Sequence, residues 1–191
     1  FKNQVKVNLT KLANLEIAFS FERRIQGPVS LELETGFQFA GENTMTDDFF
    51  MGLYPLYKYS GVNFVFGPKY YIGKIPYVQI FVIYRYLFMD DSRSKFAVEN
   101  GHYALQYQYR NDIGGGFRFG LLTRVGRSGV LDAYIGGGLK VCMVNQFIYG
   151  YFPYDQSSYY YWLNPEHSAE NYHVSLLKPV FNAGIKIGVG I

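Results

Sequence analysis

Three histidines, one cysteine and a sparse set of charges are the residues from which chemistry could be built. His167 follows Glu166 and precedes Ser168, and His173 lies close behind, which raises a Ser-His-acid hydrolase. Such a set is defined by a nucleophile on a sharp turn and a base fixed by an acid; no turn or spacing here supplies either. His102, His167 and His173 fall in expected loops or at their edges and read as solvated. Nothing fixes the spacing of His167 and His173 for a metal, so no metal site is expected. Cys142 is the only cysteine, which excludes an internal disulfide and a Cys-rich metal site. It sits between Val141 and Met143 on the charged face of an alternating segment and reads as a buried structural thiol. The runs Gly114-Gly115-Gly116 and Gly136-Gly137-Gly138 lie inside expected strands with no helix following. They are not phosphate loops, and glycine there marks thinning and close approach of strands. No catalytic residue and no cofactor is expected.

The elements that would position any site follow from composition and periodicity. The chain has 191 residues, suited to one domain over 1–191, with 49% hydrophobic, 19% aromatic and only 17% charged residues. Nineteen Tyr, seventeen Phe and twenty-one Gly favour strands and turns over helices. A net charge of +3 with this apolar content excludes disorder. No basic run exceeds Arg23-Arg24, so nucleic acid is not an expected partner. No apolar stretch is long enough for a transmembrane helix, which leaves a membrane-spanning barrel open. The chain starts at Phe1 without Met, as expected of a mature chain that has lost a signal peptide.

Period-2 alternation recurs eight times: from Val5 to Thr10, Leu15 to Glu22, Val29 to Phe39, Val62 to Ile72, Val78 to Tyr86, Tyr103 to Phe119, Leu131 to Phe147, and Phe181 to Ile191. Short connections are expected at Arg24–Pro28, Gly73–Pro76 and Gly126–Val130. Long ones are expected at Ala40–Gly61, Met89–His102 and Ile148–Pro179, and a tight turn at Lys11–Asn14. Short turns at one end and long loops at the other are the asymmetry of outer-membrane barrels.

One face of the segments carries Val5, Val7, Leu9, Leu15, Ile17, Phe19, Phe21, Leu31, Leu33, Phe64, Phe66, Ile80, Val82, Phe117, Phe119, Ile185, Ile187 and Ile191. The other carries Lys6, Glu16, Glu22, Glu32, Glu34, Lys69, Arg85, Arg118, Arg124, Asp132, Lys140 and Lys186. A soluble barrel turns the charges outward; a membrane barrel turns them inward. Two features favour the second. Aromatic residues of the apolar face gather near segment ends, where interfacial girdles fall: Phe37, Phe39, Tyr70, Tyr84, Tyr86, Tyr107, Tyr109 and Phe147. The charged face is rich in glycine, which leaves room in a crowded lumen and serves no purpose on a solvated surface.

The opening Val5-Lys6-Val7-Asn8-Leu9, the run Ile17-Ala18-Phe19-Ser20-Phe21-Glu22-Arg23, the glycine-rich late segments and the close Gly184-Ile185-Lys186-Ile187-Gly188-Val189-Gly190-Ile191 carry a resemblance. The chain resembles the small outer-membrane β-barrel proteins of Bacteroidetes, with an OmpA- or OmpX-like barrel and uncharacterised function. It departs from the usual assembly signal, ending in Ile191 where a closing aromatic is preferred. The resemblance implies a fold and a location, the bacterial outer membrane, and no activity.

The expected fold is an all-β, eight-stranded antiparallel transmembrane barrel with long extracellular loops and short periplasmic turns, both termini on the periplasmic side. Eight strands leave a bore that side chains can fill, so the charged face is expected to pair into a plug, against the alternative of a selective pore. The aromatic stretches Asp47–Tyr54 and Tyr149–Trp162 suit either a recognition surface or a cap over the mouth. Tyr151, Phe152, Tyr154, Tyr159, Tyr160, Tyr161 and Trp162 are the candidate partner-binding residues. The expected function is a non-enzymatic structural or accessory subunit. Its expected partners are outer-membrane lipid and another outer-membrane protein or lipoprotein. A lipid-modifying enzyme and a soluble lipocalin-like ligand carrier are the alternatives.

Overall fold

A computed structural model describes residues 1–13, 15–42, 58–90, 103–151 and 170–191. Eight strands form a closed antiparallel barrel in chain order: β1 Asn3–Asn8, β2 Glu16–Gln26, β3 Val29–Glu42, β4 Lys58–Tyr71, β5 Pro76–Asp90, β6 Tyr103–Val125, β7 Gly129–Tyr151 and β8 Glu170–Gly190. β8 closes on β1, with Val5 opposite Val189 and Asn8 opposite Lys186. Each strand pairs with its neighbour in sequence, as hairpins dictate when turns are short. The turns after β2, β4 and β6 each place a glycine at positive φ, at Gly27, Gly73 and Gly126.

The expected first strand is shorter than its alternation. Leu9 and Thr10 leave the sheet for a single helical turn, α1 Leu9–Leu12, and Leu15 closes the connection at a φ of 55°. The Leu15 amide donates to the Leu12 carbonyl at 3.0 Å. Hydrogen bonding within this turn thus replaces the last rungs of the β1 ladder.

Elsewhere at this end of the barrel, pairing runs further than alternation indicated. β3 reaches Glu42 and β4 begins at Lys58, β5 runs to Asp90, β7 to Tyr151, and β8 begins at Glu170. Ile148 pairs with Glu170 and Asn145 with His173, so Ile148–Tyr151 and Glu170–Pro179 are strand where loop was expected. Tyr151 stands opposite Tyr103 at the end of β7 and is not a loop residue. His173 is likewise on a strand. The expected loop residues Phe152, Tyr154, Tyr159, Tyr160, Tyr161 and Trp162, the stretch 47–54, and His102 and His167 lie outside the described residues.

The strands separate their two faces cleanly. Among the described residues, exposed large apolar side chains outnumber buried ones by nearly four to one. The buried set contains more polar and charged residues than apolar ones, with Lys6, Glu22, Glu32, Glu34, Lys69, Arg118, Asp132 and Lys186 essentially sealed. A smaller apolar cluster of Tyr71, Tyr77, Leu122, Val130 and Tyr134, backed by Phe1, sits inside near the short-turn end. Glycine makes room for these rings. A side chain at Gly184 would meet the Tyr134 ring at 2.5–2.9 Å, and one at Gly120 would run into the Tyr77 ring.

Candidate functional site in the charged interior

β1, β2, β3, β4, β7 and β8 each turn a charge inward at nearly one level, because inward positions recur every second residue and the register aligns them. Lys6 Nζ lies 2.6 Å from Glu22, 3.2 Å from Glu32 and 2.8 Å from Asp132. Lys69 Nζ reaches the same three carboxylates at 3.0–3.1 Å. Lys186 joins Glu32 at 3.0 Å to Glu34 at 2.5 Å. Lys11 of α1 completes the chain of ions, 2.8 Å from Glu34 and 2.7 Å from Glu16.

Neutral groups add hydrogen bonds to this lattice without saturating it: Asn8 Oδ1, Asn63 Oδ1, Gln79 Oε1 and Arg118 Nη1 are buried without a partner among the described residues. Tyr77 donates its hydroxyl to Asp132 at 2.6 Å, Ser30 donates to Glu22 at 2.6 Å, and Tyr71 donates to the same Glu22 oxygen. The Asn63 amide donates to Glu16 at 3.1 Å and the Gln79 amide to Glu32 at 3.3 Å. Asn8 donates to the Tyr134 hydroxyl at 2.8 Å.

Arg118 is held differently. Its guanidinium lies between the Phe81 and Tyr134 rings, 4.6 and 4.7 Å from their centroids. With its amide oxygen turned toward the guanidinium, Asn182 accepts from Nη2 at 2.5 Å and Nε at 3.0 Å. Lys6, Lys11, Lys69, Lys186 and Arg118 therefore balance Glu16, Glu22, Glu32, Glu34 and Asp132. That balance makes burial of so many charges tolerable.

A second cluster sits further toward the long-connection end. Arg110 grips Asp112 with Nε at 2.7 Å and Nη2 at 3.1 Å, and Lys140 approaches the same carboxylate at 3.1 Å. The buried Cys142 sulfur lies 3.6 Å from Arg110 Nη2, the inward and structural placement expected of it.

Ten of the twelve charges expected inside are buried there: Lys6, Glu16, Glu22, Glu32, Glu34, Lys69, Arg118, Asp132, Lys140 and Lys186. Arg85 is half-buried on the same face, opposite Asp112 in the β5–β6 register. Arg124 is the correction: it shares the inward phase of β6 but lies at the barrel's short-turn end, exposed, with its guanidinium 4.7 Å from the Phe1 centroid. Sequence reasoning missed Lys11, assigned to a turn, and the pair Arg110 and Asp112. The same every-second-residue count that finds Arg118 reaches both Asp112 and Arg110 when continued along β6.

Glu22, Glu32 and Asp132 bring carboxylate oxygens within 4.8 Å of one another, a spacing that suits a divalent cation. Lys6 and Lys69 already stand between these three groups, so a metal would have to displace two ammoniums at once. The donor set is that of an ion-pair lattice. Ser30 donates to Glu22, whose charge Lys6 and Lys69 already neutralise, which leaves that carboxylate a weak base for activating a nucleophile.

The fold defines a closed eight-stranded barrel with a paired ionic interior and an apolar exterior. No protein family, no characterised protein and no solved structure matches the chain.

Proposed function

We propose that this chain is a non-enzymatic integral protein of a bacterial outer membrane. Its lumen is plugged, and it serves as a structural or accessory subunit that docks a partner protein. The observation that carries the reading is the inversion of the barrel. Fully burying a Leu, Ile, Val or Phe side chain is worth about 1.5–3 kcal/mol. An exterior of Phe19, Phe21, Phe64, Phe66, Ile80, Val82, Phe117 and Phe119 therefore carries a large cost in water and none in lipid. Tyr70, Tyr84, Phe37 and Phe39 extend the exterior with aromatic side chains suited to the lipid–water boundary.

The plug reading is supported by the ion-pair lattice, which spans the bore with groups already paired to each other. An open pore needs charges that face water. Two measurements on the native protein test the proposal together. It is expected in the outer-membrane fraction with heat-modifiable gel mobility, and to give no steady conductance of porin size in planar bilayers. Large stable channels would overturn the plug, and recovery as a soluble protein would overturn the membrane assignment.

A further inference from the structure

β8 is a long strand beside a short one. It pairs with β7 from Glu170 to Val189, but β1 reaches only from Lys186 to Gly190 along its other side. One step further, the Ile185 amide donates to Thr10 Oγ1 of α1 at 2.8 Å. Two contacts fix which way the β8 backbone faces. Ile191 exchanges both hydrogen bonds with Asn3, at 2.8 and 3.1 Å, whereas the Gly190 amide donates to Ser128 on the β7 side at 2.8 Å. The β7–β8 register continues without a bulge. Odd-numbered residues therefore keep aiming N–H and C=O toward the β1 side, where β1 has ended.

Past Thr10, no described strand is paired with β8 on that side, so Leu177, Phe181 and Ala183 have no β1 residue opposite them. Pro179 has the same phase, so its missing N–H falls on the open side and costs no bond to β7. Within sheets proline is confined to such edges and bulges. The outward side chains agree: Ile185 and Ile187, beside β1 and α1, are 48% and 45% exposed, whereas Leu177 and Phe181 are 68% and 91% exposed.

We propose that the β8 edge from Leu177 to Ala183 receives an added β-strand from a partner protein, apolar on its outward face and polar on its inward face. This deepens the accessory-subunit reading and rests on it. In lipid, unmatched backbone N–H and C=O groups each cost several kcal/mol, and acyl chains offer them nothing. An extended strand supplies a full set of partners. The inward preference follows from the lumen wall, whose buried side chains are mostly polar or charged. A second copy fits less well, since a symmetric seam over this stretch would bring two Pro179 and two Lys178 together.

The test places a photo-crosslinking benzoylphenylalanine at position 181 of the full chain in native membranes. Leu177→Pro removes an edge amide without touching a β7 bond, Ala183→Pro does the same independently, and Leu177→Ala controls for the side chain. Heat-modifiable mobility reports that each barrel has formed. The expected result is one adduct with a different protein, mapping to a segment of alternating apolar and polar residues. Its yield should fall at least tenfold with either proline and stay within twofold with alanine. Adducts to lipid only, adducts between two copies, or a protein adduct indifferent to both prolines would overturn strand addition while leaving the membrane barrel intact. A chain recovered outside the membrane fraction would instead overturn the underlying reading.

Discussion

Glu32 touches three ammonium groups, Lys6 at 3.2 Å, Lys69 at 3.0 Å and Lys186 at 3.0 Å, and is itself sealed from solvent. Removing its charge while keeping its shape leaves those cations one carboxylate short. Breaking a buried pair in this way costs about 3–5 kcal/mol. Glu32→Gln is therefore expected to lower the unfolding free energy of the detergent-folded barrel by about 3 kcal/mol. Arg124, exposed and resting on Phe1, supplies the contrast: Arg124→Ala should cost less than about 1 kcal/mol. Chemical denaturation of the two variants side by side checks both. Equal losses would mean that the interior ions are no better coupled than a surface contact.

Strand by strand, the fit of glycine against tyrosine is the sharpest packing constraint. A Cβ at Gly184 would sit 2.5 Å from the Tyr134 hydroxyl oxygen and 2.6 Å from the ring carbon that bears it. Gly184→Ala should destabilise the barrel by about 1–3 kcal/mol, the usual range for overpacking. Tyr134→Leu, which clears the space, should return part of that loss in the double variant. Additive losses would show that the ring moves freely aside.

Much of this architecture is legible in the residues themselves. Lys6, Glu32, Asp132 and Lys186 each alternate with apolar neighbours, and a period of two is enough to place them on one face. What alternation could not deliver is where pairing stops. Beyond Val141 and Leu177 the outward positions soften to Asn145 and Ser175, yet the ladder continues because β6 and β7 hold the register through the backbone. At the other extreme, Leu9 keeps the apolar phase of β1 but leaves the sheet, since the turn through Leu12 and Leu15 sets the path there. Arg110 and Asp112 were hidden for a related reason: the tyrosines at 103, 107 and 109 dominate that segment's pattern and draw attention to the opposite face.

The whole barrel is an ordinary protein turned inside out, with ions where a core would be and a core's side chains on the surface. On the proposed reading such an object needs apolar surroundings, and that dependence is open to test by substitution. Ile80→Arg places a charge on the exposed belt of β5 and is expected to weaken folding into lipid vesicles by about 2–4 kcal/mol. On a water-facing surface the same change would be close to neutral.

The most direct measurement of the central claim reads the solvent at that belt. A nitroxide attached at position 82, replacing the exposed Val82, is compared in vesicles with one at Arg127 in the exposed turn between β6 and β7. The account predicts that dissolved oxygen, which concentrates in hydrocarbon, dominates relaxation at position 82, and that a water-soluble nickel chelate dominates at position 127. Dominance of the chelate at position 82 would place the belt in water and contradict the membrane barrel.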